Sequence, residues 1–370
     1  MFDIIYLILC ILSLINIKIK GVNSFFEDYI DLNNTNCIKG IFVWMIFFRH
    51  FLEYSNKKKG ISIFIDNCFG QNIVSLFLFY SGYGINESFI KKGNNYIKTL
   101  PLKALTILIK SELIILLFLF NNIIVGIKVS LNSYLYAVIF KNGIGNSYWF
   151  VLAIILLYFY SYLSFRLIKK TKYNYIGILL ITIICFLHIH IINKYYHPNI
   201  LISVDTIFCF IIGFFYSYFK FILQKIIMKN DKNYFGMILL FILLYYKCYI
   251  YNPANIYIVS IKNAAFTLII ILISMKIKFN NDFLILLNNH SYSIYLLQRI
   301  VMIHIFKRGY FTEHNFIRFF FEFILVILFS CIFDKYFSFI DKKIKDNFKS
   351  KSNKHNYNKI ILNEEIISFK

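Results

Sequence analysis

Between residues 38 and 50 the chain reads Ile38-Lys39-Gly40-Ile41-Phe42-Val43-Trp44-Met45-Ile46-Phe47-Phe48-Arg49-His50. Lys39 and His50 stand eleven positions apart, almost three helical turns. That spacing puts ammonium and imidazole on one face, about 16 Å apart along the axis. Ionisable groups inside a membrane span are costly and face the protein interior or a water-filled path. Histidine is also the usual general base near neutral pH. A basic residue three turns below a histidine in so apolar a run therefore suggests a reaction centre within a membrane.

The rest of the chain has the composition of such a protein. Of 370 residues, 59% are hydrophobic and 20% aromatic. A soluble protein of this size must present more polar surface. Three prolines and 14 glycines leave few breaks. The expectation is an all-α polytopic membrane protein in one integral domain. The net charge of +22 does not signal nucleic acid, because the lysines fall in short loops between apolar runs and in the last thirty residues, where they set topology and meet anionic lipid heads. The cysteines at 10, 37, 68, 185, 209, 248 and 331 form no metal-ligand spacing and read as small apolar residues. No metal site is expected. Met1 to Asn16 is apolar but lacks a basic start and an Ala-x-Ala-like exit, so it reads as a first span rather than a cleaved signal.

Eleven apolar segments can hold spans: roughly 2–18, 39–54, 69–86, 104–122, 148–165, 175–193, 200–219, 235–251, 256–275, 283–305 and 316–339. The stretch 123–147 suits an interfacial position in part. The predicted organisation is an N-terminal helix and loop over 1–35, a membrane domain over 36–340 and a basic tail over 341–370. With the tail in the cytoplasm, the inner loops hold Lys91, Lys92, Lys98, Lys103, Arg166, Lys169, Lys170, Lys172, Lys220, Lys225, Lys229 and Lys232. The outer loops hold fewer basic residues, so the positive-inside rule favours an outside N-terminus and an inside C-terminus. Lys39 then lies near the cytoplasmic end of its span and His50 near the outer end.

Five ordered stretches resemble the membrane-bound acyltransferase-3 family. Its hallmark is a basic residue, ten intervening positions and a histidine, which Lys39 and His50 fit. Phe77-Leu78-Phe79-Tyr80-Ser81-Gly82-Tyr83-Gly84 is similar to its Phe-rich Ser-Gly-Tyr segment. Gly145-Asn146-Ser147-Tyr148-Trp149-Phe150 resembles its Asn-x-x-Trp-Phe, Phe210-Ile211-Ile212-Gly213 its Phe-x-x-Gly, and Ser291-Tyr292-Ser293-Ile294-Tyr295-Leu296 its Ser-Tyr-x-x-Tyr-Leu. The resemblance runs from about Asn36 to about Ile303. It implies about ten core transmembrane helices, with the 2–18 span an addition. It further implies a multi-pass protein of the bacterial inner membrane that moves an acyl group, often acetyl, from acyl-CoA to a hydroxyl of a surface or lipid-linked glycan. Acyl-CoA is then a co-substrate and no cofactor is held; the partners are acyl-CoA, the glycan acceptor and membrane lipids. The chain departs from the family pattern in two places. Gln298 stands where many members have histidine, and Lys98-Thr99-Leu100-Pro101-Leu102-Lys103-Ala104 stands where paired arginines are thought to meet the donor.

These resemblances set the expected roles. His50 is the general base; the bland alternative is a histidine anchoring the span at the interface. Lys39 is a donor-side group or a snorkelling topology signal. Ser81 and Tyr83 with Lys98 and Lys103 are donor-side candidates, although Gly82 and Gly84 are as well explained by tight helix packing. Asn146, Trp149, Gln298 and Arg299 are acceptor candidates, with an aromatic belt the plain alternative for Trp149, partnership with His50 a second role for Gln298 and Arg299, and outward snorkelling the plain alternative for Arg299. Glu53 either orients the imidazole or is an exposed loop acid. Arg49, about 100° around the helix from His50, faces lipid phosphate or a neighbouring helix. Arg318 and Glu322 read as a helical ion pair, and Lys110 as a partner that explains Glu112. His188 and His190 point to different faces, which disfavours metal binding. A rival from another class is a transporter or flippase for lipid-linked sugars, but the repeats or Gly/Pro-broken helices that mark transporters are not found. A family member without catalysis is the third reading, kept open by the missing second histidine.

Overall fold

A computed structural model describes residues 2–55, 61–140, 144, 148–195, 204–251, 255–311 and 314–368. The elements run α1 (Phe2–Ser13), β1 (Lys18–Ile19), α2 (Leu32–Glu53), α3 (Ile61–Lys92), α4 (Asn94–Ile97), α5 (Leu100–Val125), α6 (Leu131–Val138), α7 (Tyr148–Phe165), α8 (Asn174–Tyr195), α9 (Val204–Ile227), α10 (Asp231–Tyr251), α11 (Ile256–Lys276), β2 (Ile277–Lys278), α12 (Asp282–Asn289), α13 (Ser291–Lys307) and α14 (Asn315–Ser368). Among the described residues, five helical stretches are long and apolar enough to cross a membrane: Thr171–Ile191, Val204–Ile227, Asp231–Tyr251, Ile256–Lys276 and Asn315–Asn347. Helix α10 shows what they face. It buries only Tyr234 and exposes Leu239, Leu243, Tyr246 and Ile250, an arrangement that suits lipid and not water.

The helix carrying Lys39 and His50 is the hub. Asp31 caps its start, accepting from the Asn34 N–H at 2.7 Å, a bond that satisfies one orphan donor of the first turn. Helix α1 lies along it: Phe2 meets Phe51 edge-on, Tyr6 meets Trp44, and the buried Trp44 indole donates to Ser13 Oγ at 3.0 Å. On another side Gly40 admits α12, since a Cβ there would stand 2.1 Å from the Leu284 carbonyl oxygen. Helix α14 begins near the far end, where Phe319 packs against Phe47, Phe48 and Phe51. Arg318 Nη2 donates there to the Tyr54 carbonyl at 2.9 Å and pairs with Glu322 at 3.2 Å. The Arg318–Glu322 pair thus also ties α14 to the end of α2. From this start α14 runs on to bond His290 through Asp334 and Thr106 through Asp341, so it spans from the His50 end of α2 to the His290 end of α13.

Two sequence-based spans are cut short or broken, while those expected over 39–54, 69–86 and 316–339 are longer, at Leu32–Glu53, Ile61–Lys92 and Asn315–Ser368. The helix expected over 2–18 ends at Ser13, and Asn16 turns the chain with φ 60°, a conformation asparagine tolerates. The next residues pair with β2 in register Lys18↔Lys278 and Ile19↔Ile277. Lys278 fastens this loop by bonding Asp28 at 2.6 Å and Asp31 at 2.5 Å, and its hydrogen bond holds the Asp28 carboxyl below the usual carboxylate range. The span expected over 283–305 is two helices, broken at His290 with φ −107° and ψ 11°. No glycine or proline causes that break. The polar run Asn288-Asn289-His290 lines a cavity there.

Helices α3 and α9 pack backbone to backbone. A Cβ on Gly82 would stand 2.1 Å from the Phe210 carbonyl oxygen, and one on Gly213 would stand 2.2 Å from that of Phe79. Small residues permit this approach where apolar lipid supplies no hydrophobic drive for association. Gly213→Val is therefore expected to force the helices apart. The variant protein should leave detergent extracts as aggregate on size exclusion; an unchanged monodisperse peak with wild-type melting would contradict the packing role.

Candidate functional site

The His50 end of α2 carries a charged cluster. The His50 ring is buried, with Nδ1 3.0 Å from Glu53 Oε1 and 2.8 Å from Arg299 Nη2. Arg299 also pairs with Glu53 Oε2 at 2.7 Å. Helical periodicity brings Glu53 one turn past His50, while α13 packs across α2 to deliver Arg299. A guanidinium only donates and a carboxylate only accepts. A single Nδ1 therefore serves one of the two partners at a time. With Nδ1–H donating to Glu53, the Nε2 lone pair is free to take a proton. With Nδ1 accepting from Arg299, Nε2 carries the hydrogen and no base is present. The ion pair from Arg299 to Glu53 holds that carboxylate in place beside the ring. Of the two roles open to Glu53, the structure has the one bonded to the imidazole. Arg49 faces a neighbouring helix: its guanidinium lies against Gly70 of α3 and 4.0 Å from Glu53.

Below this cluster lies a cavity of about 570 Å³. Lys39, Val43 and Ile46 line it from α2, and His50 is the next position in that stripe of alternating three and four residues. Gln298 lines the same cavity from α13. It is wholly buried; its Nε2 donates to the Tyr295 carbonyl at 3.0 Å, and its Oε1 has no partner among the described residues. Ser81 is a lining residue as well. The Lys39 ammonium sits 5.2 Å from the centre of the Tyr80 ring, and no described carboxylate pairs with it. The cavity thus gathers Lys39, Ser81 and Gln298.

The remaining expected residues fall elsewhere. Tyr83 lies off the cavity and accepts from Lys220 Nζ at 3.0 Å. Lys98 and Lys103 are exposed, with Lys103 lying on the Tyr96 ring at 4.3 Å. Trp149 is half-buried beside Phe150, and it is Phe150 that reaches the cavity. Asn146 lies outside the described residues. His188 bonds Tyr160 through Nδ1 at 3.0 Å. Lys110 pairs with Asp334 of α14 at 2.5 Å rather than with Glu112.

A family model described as an acyltransferase domain matches residues 32–335. No curated protein and no solved structure matches the chain.

Proposed function

From its membership of the acyltransferase-3 family, which makes this chain a membrane acyltransferase, we infer that it moves an acyl group, most simply acetyl, from acyl-CoA to a hydroxyl of a cell-surface or lipid-linked glycan. One observation carries this reading: the His50–Glu53–Arg299 cluster stands one helical turn, about 6 Å, beyond a cavity that runs past Lys39 toward the opposite end of the fold. The acceptor hydroxyl approaches His50 from the outer side. Glu53 holds Nδ1–H, and Nε2 takes the hydroxyl proton as oxygen attacks the thioester carbonyl. A C–O bond forms, the C–S bond breaks, and the coenzyme A thiolate leaves with the proton that His50 received. Arg299 fixes Glu53, and Gln298 and Ser81 offer hydrogen bonds inside the cavity. The tail is cytoplasmic in this scheme and the membrane is the bacterial inner membrane. Trp149 and Asn146 remain acceptor-side proposals.

Lys39 serves the donor. Its uncompensated ammonium beside the cavity attracts the negative charge of the donor or of the developing oxyanion. Lys39→Met is expected to raise the KM for acetyl-CoA about tenfold or more, whereas Lys39→Arg retains most activity; the scale is that of one charge-assisted bond. Steady-state kinetics on membranes check this, and equal KM values in Lys39→Met and wild type would remove Lys39 from the donor site.

Membranes holding the protein and supplied with radiolabelled acetyl-CoA test the reaction class. Label should appear in glycan, and only when the protein is present. Retention of all label in acetyl-CoA, with sugar crossing the membrane instead, would replace the enzyme with a transporter.

A further inference from the structure

A second polar cluster lies at the other end of the same cavity. Asp334 of α14 gathers three partners: Lys110 of α5 at 2.5 Å, His290 Nδ1 at 2.6 Å and Ser293 Oγ at 2.5 Å. Lys110, His290 and Asp334 all line the cavity. The Lys110 ammonium is also framed by rings, 5.4 Å from the centres of both Tyr292 and Phe337. The neighbouring carboxylate, Asp341, is likewise committed, to Lys345 at 2.5 Å and to the Thr106 hydroxyl at 3.2 Å. Asp334 therefore acts as an internal brace. It makes Nδ1 the donor nitrogen of His290 and draws Lys110 beside it. Among the described residues nothing bonds His290 Nε2, and the ammonium has N–H groups beyond the one Asp334 uses. The cluster presents the Lys110 ammonium to the cavity as a donor, with both nearby acids already engaged and His290 holding the Asp334 carboxylate in place.

We propose that Lys110, held in place by Asp334 and His290, binds the phosphate of a phosphopantetheine arm whose acyl end reaches toward His50. This rests on the thioester donor of the proposed function and names how that donor is held. Length supports it. From His290 to Gln298, α13 rises about 12 Å. The arm from phosphate to sulfur has the backbone of about four extended residues, ~14 Å. A phosphate at His290 therefore places the thioester near Gln298, at the level where His50 begins. Between the two ends the arm carries two amides, and the unpartnered Gln298 Oε1 needs an N–H donor, which an amide supplies. Ser81 lies in the same wall. Charge-assisted bonds at one end and a neutral acceptor at the other match an arm that is anionic at one end only.

The test is binding to the full chain in nanodiscs, with 4′-phosphopantetheine and pantetheine as probes. The phosphorylated probe is expected to bind about tenfold tighter or more, the scale of one charge-assisted bond. Lys110→Gln should erase that preference and His290→Gln, which loosens the Asp334 brace, should weaken it, while Lys92→Ala, at the exposed end of α3, should leave it. Equal affinity of the wild-type protein for the two probes overturns the proposal, even if both variants fail to fold. A phosphate preference that survives both variants overturns it too. Coenzyme A and a carrier protein bearing the arm, titrated in parallel, separate the two sources: the source whose affinity falls in Lys110→Gln and His290→Gln is the one the site accepts, and neither falling counts against the site. Because binding needs no transfer, absence of acetyl transfer from any donor would sink the reaction and not this site.

Discussion

His50→Ala is expected to lower acetyl transfer by about 10²–10⁴-fold while the protein still accumulates in the membrane, the range typical for loss of a general base. The side chain is buried but ends α2, where its ring touches Glu53 and Arg299 rather than the aromatic packing of Phe47, Phe48 and Phe51 against Phe319. Its removal takes away the only imidazole that the described residues bring to this cluster and leaves the packing intact. The KM for acetyl-CoA should change little, because the donor-side groups lie at the other end of the cavity. Transfer assays on membranes, with protein quantified by blot, check this. Activity within a few-fold of wild type at equal protein would remove His50 from the chemistry.

Glu53→Gln should be nearly as damaging, and for a more specific reason. The amide keeps the shape of the carboxylate but can donate an N–H to Nδ1. That contact stabilises the tautomer with hydrogen on Nε2, which is no base. Losses of up to about 10⁴ in kcat attend such tautomer errors in triads of this logic. The same substitution removes the charge that Arg299 pairs at 2.7 Å, freeing the guanidinium to bond Nδ1 and reinforcing the unproductive tautomer. Two readouts separate this from a structural defect. The variant should melt near the wild-type temperature, and Glu53→Asp should recover part of the activity by restoring an acceptor. If Glu53→Gln turns over normally, Glu53 is only a surface partner of Arg49 and Arg299.

What the sequence shows of this site follows from where its parts lie. Lys39, Val43, Ile46 and His50 share one helix, so their common face follows from helical period alone, and Glu53 follows from the same period at i+3. Arg299 stands 249 positions from His50; the sequence offers partnership with His50 as one role among several, and the packing of α13 across α2 selects it. Only packing joins His290 and Asp334, 44 positions apart on two helices. Proximity in sequence pairs Lys110 with Glu112, whereas residues two apart on a helix do not face one another. The break at His290 lacks the proline or glycine that usually announces one; it follows from polar side chains facing a cavity that several helices build together. Gly82 reads as a small packing residue in an apolar run, but its approach to Phe210, and that of Gly213 to Phe79, depends on the crossing of α3 and α9. Local period thus reveals single faces, and the cavity exists only where faces from distant segments meet.

The central claim, that this chain acylates a surface glycan through His50, is tested most directly by NMR of that glycan from cells carrying the wild-type gene, no gene, or His50→Ala. O-acetyl resonances are predicted with the wild-type gene and in neither of the other two. O-acetyl resonances of equal intensity in all three would contradict the claim.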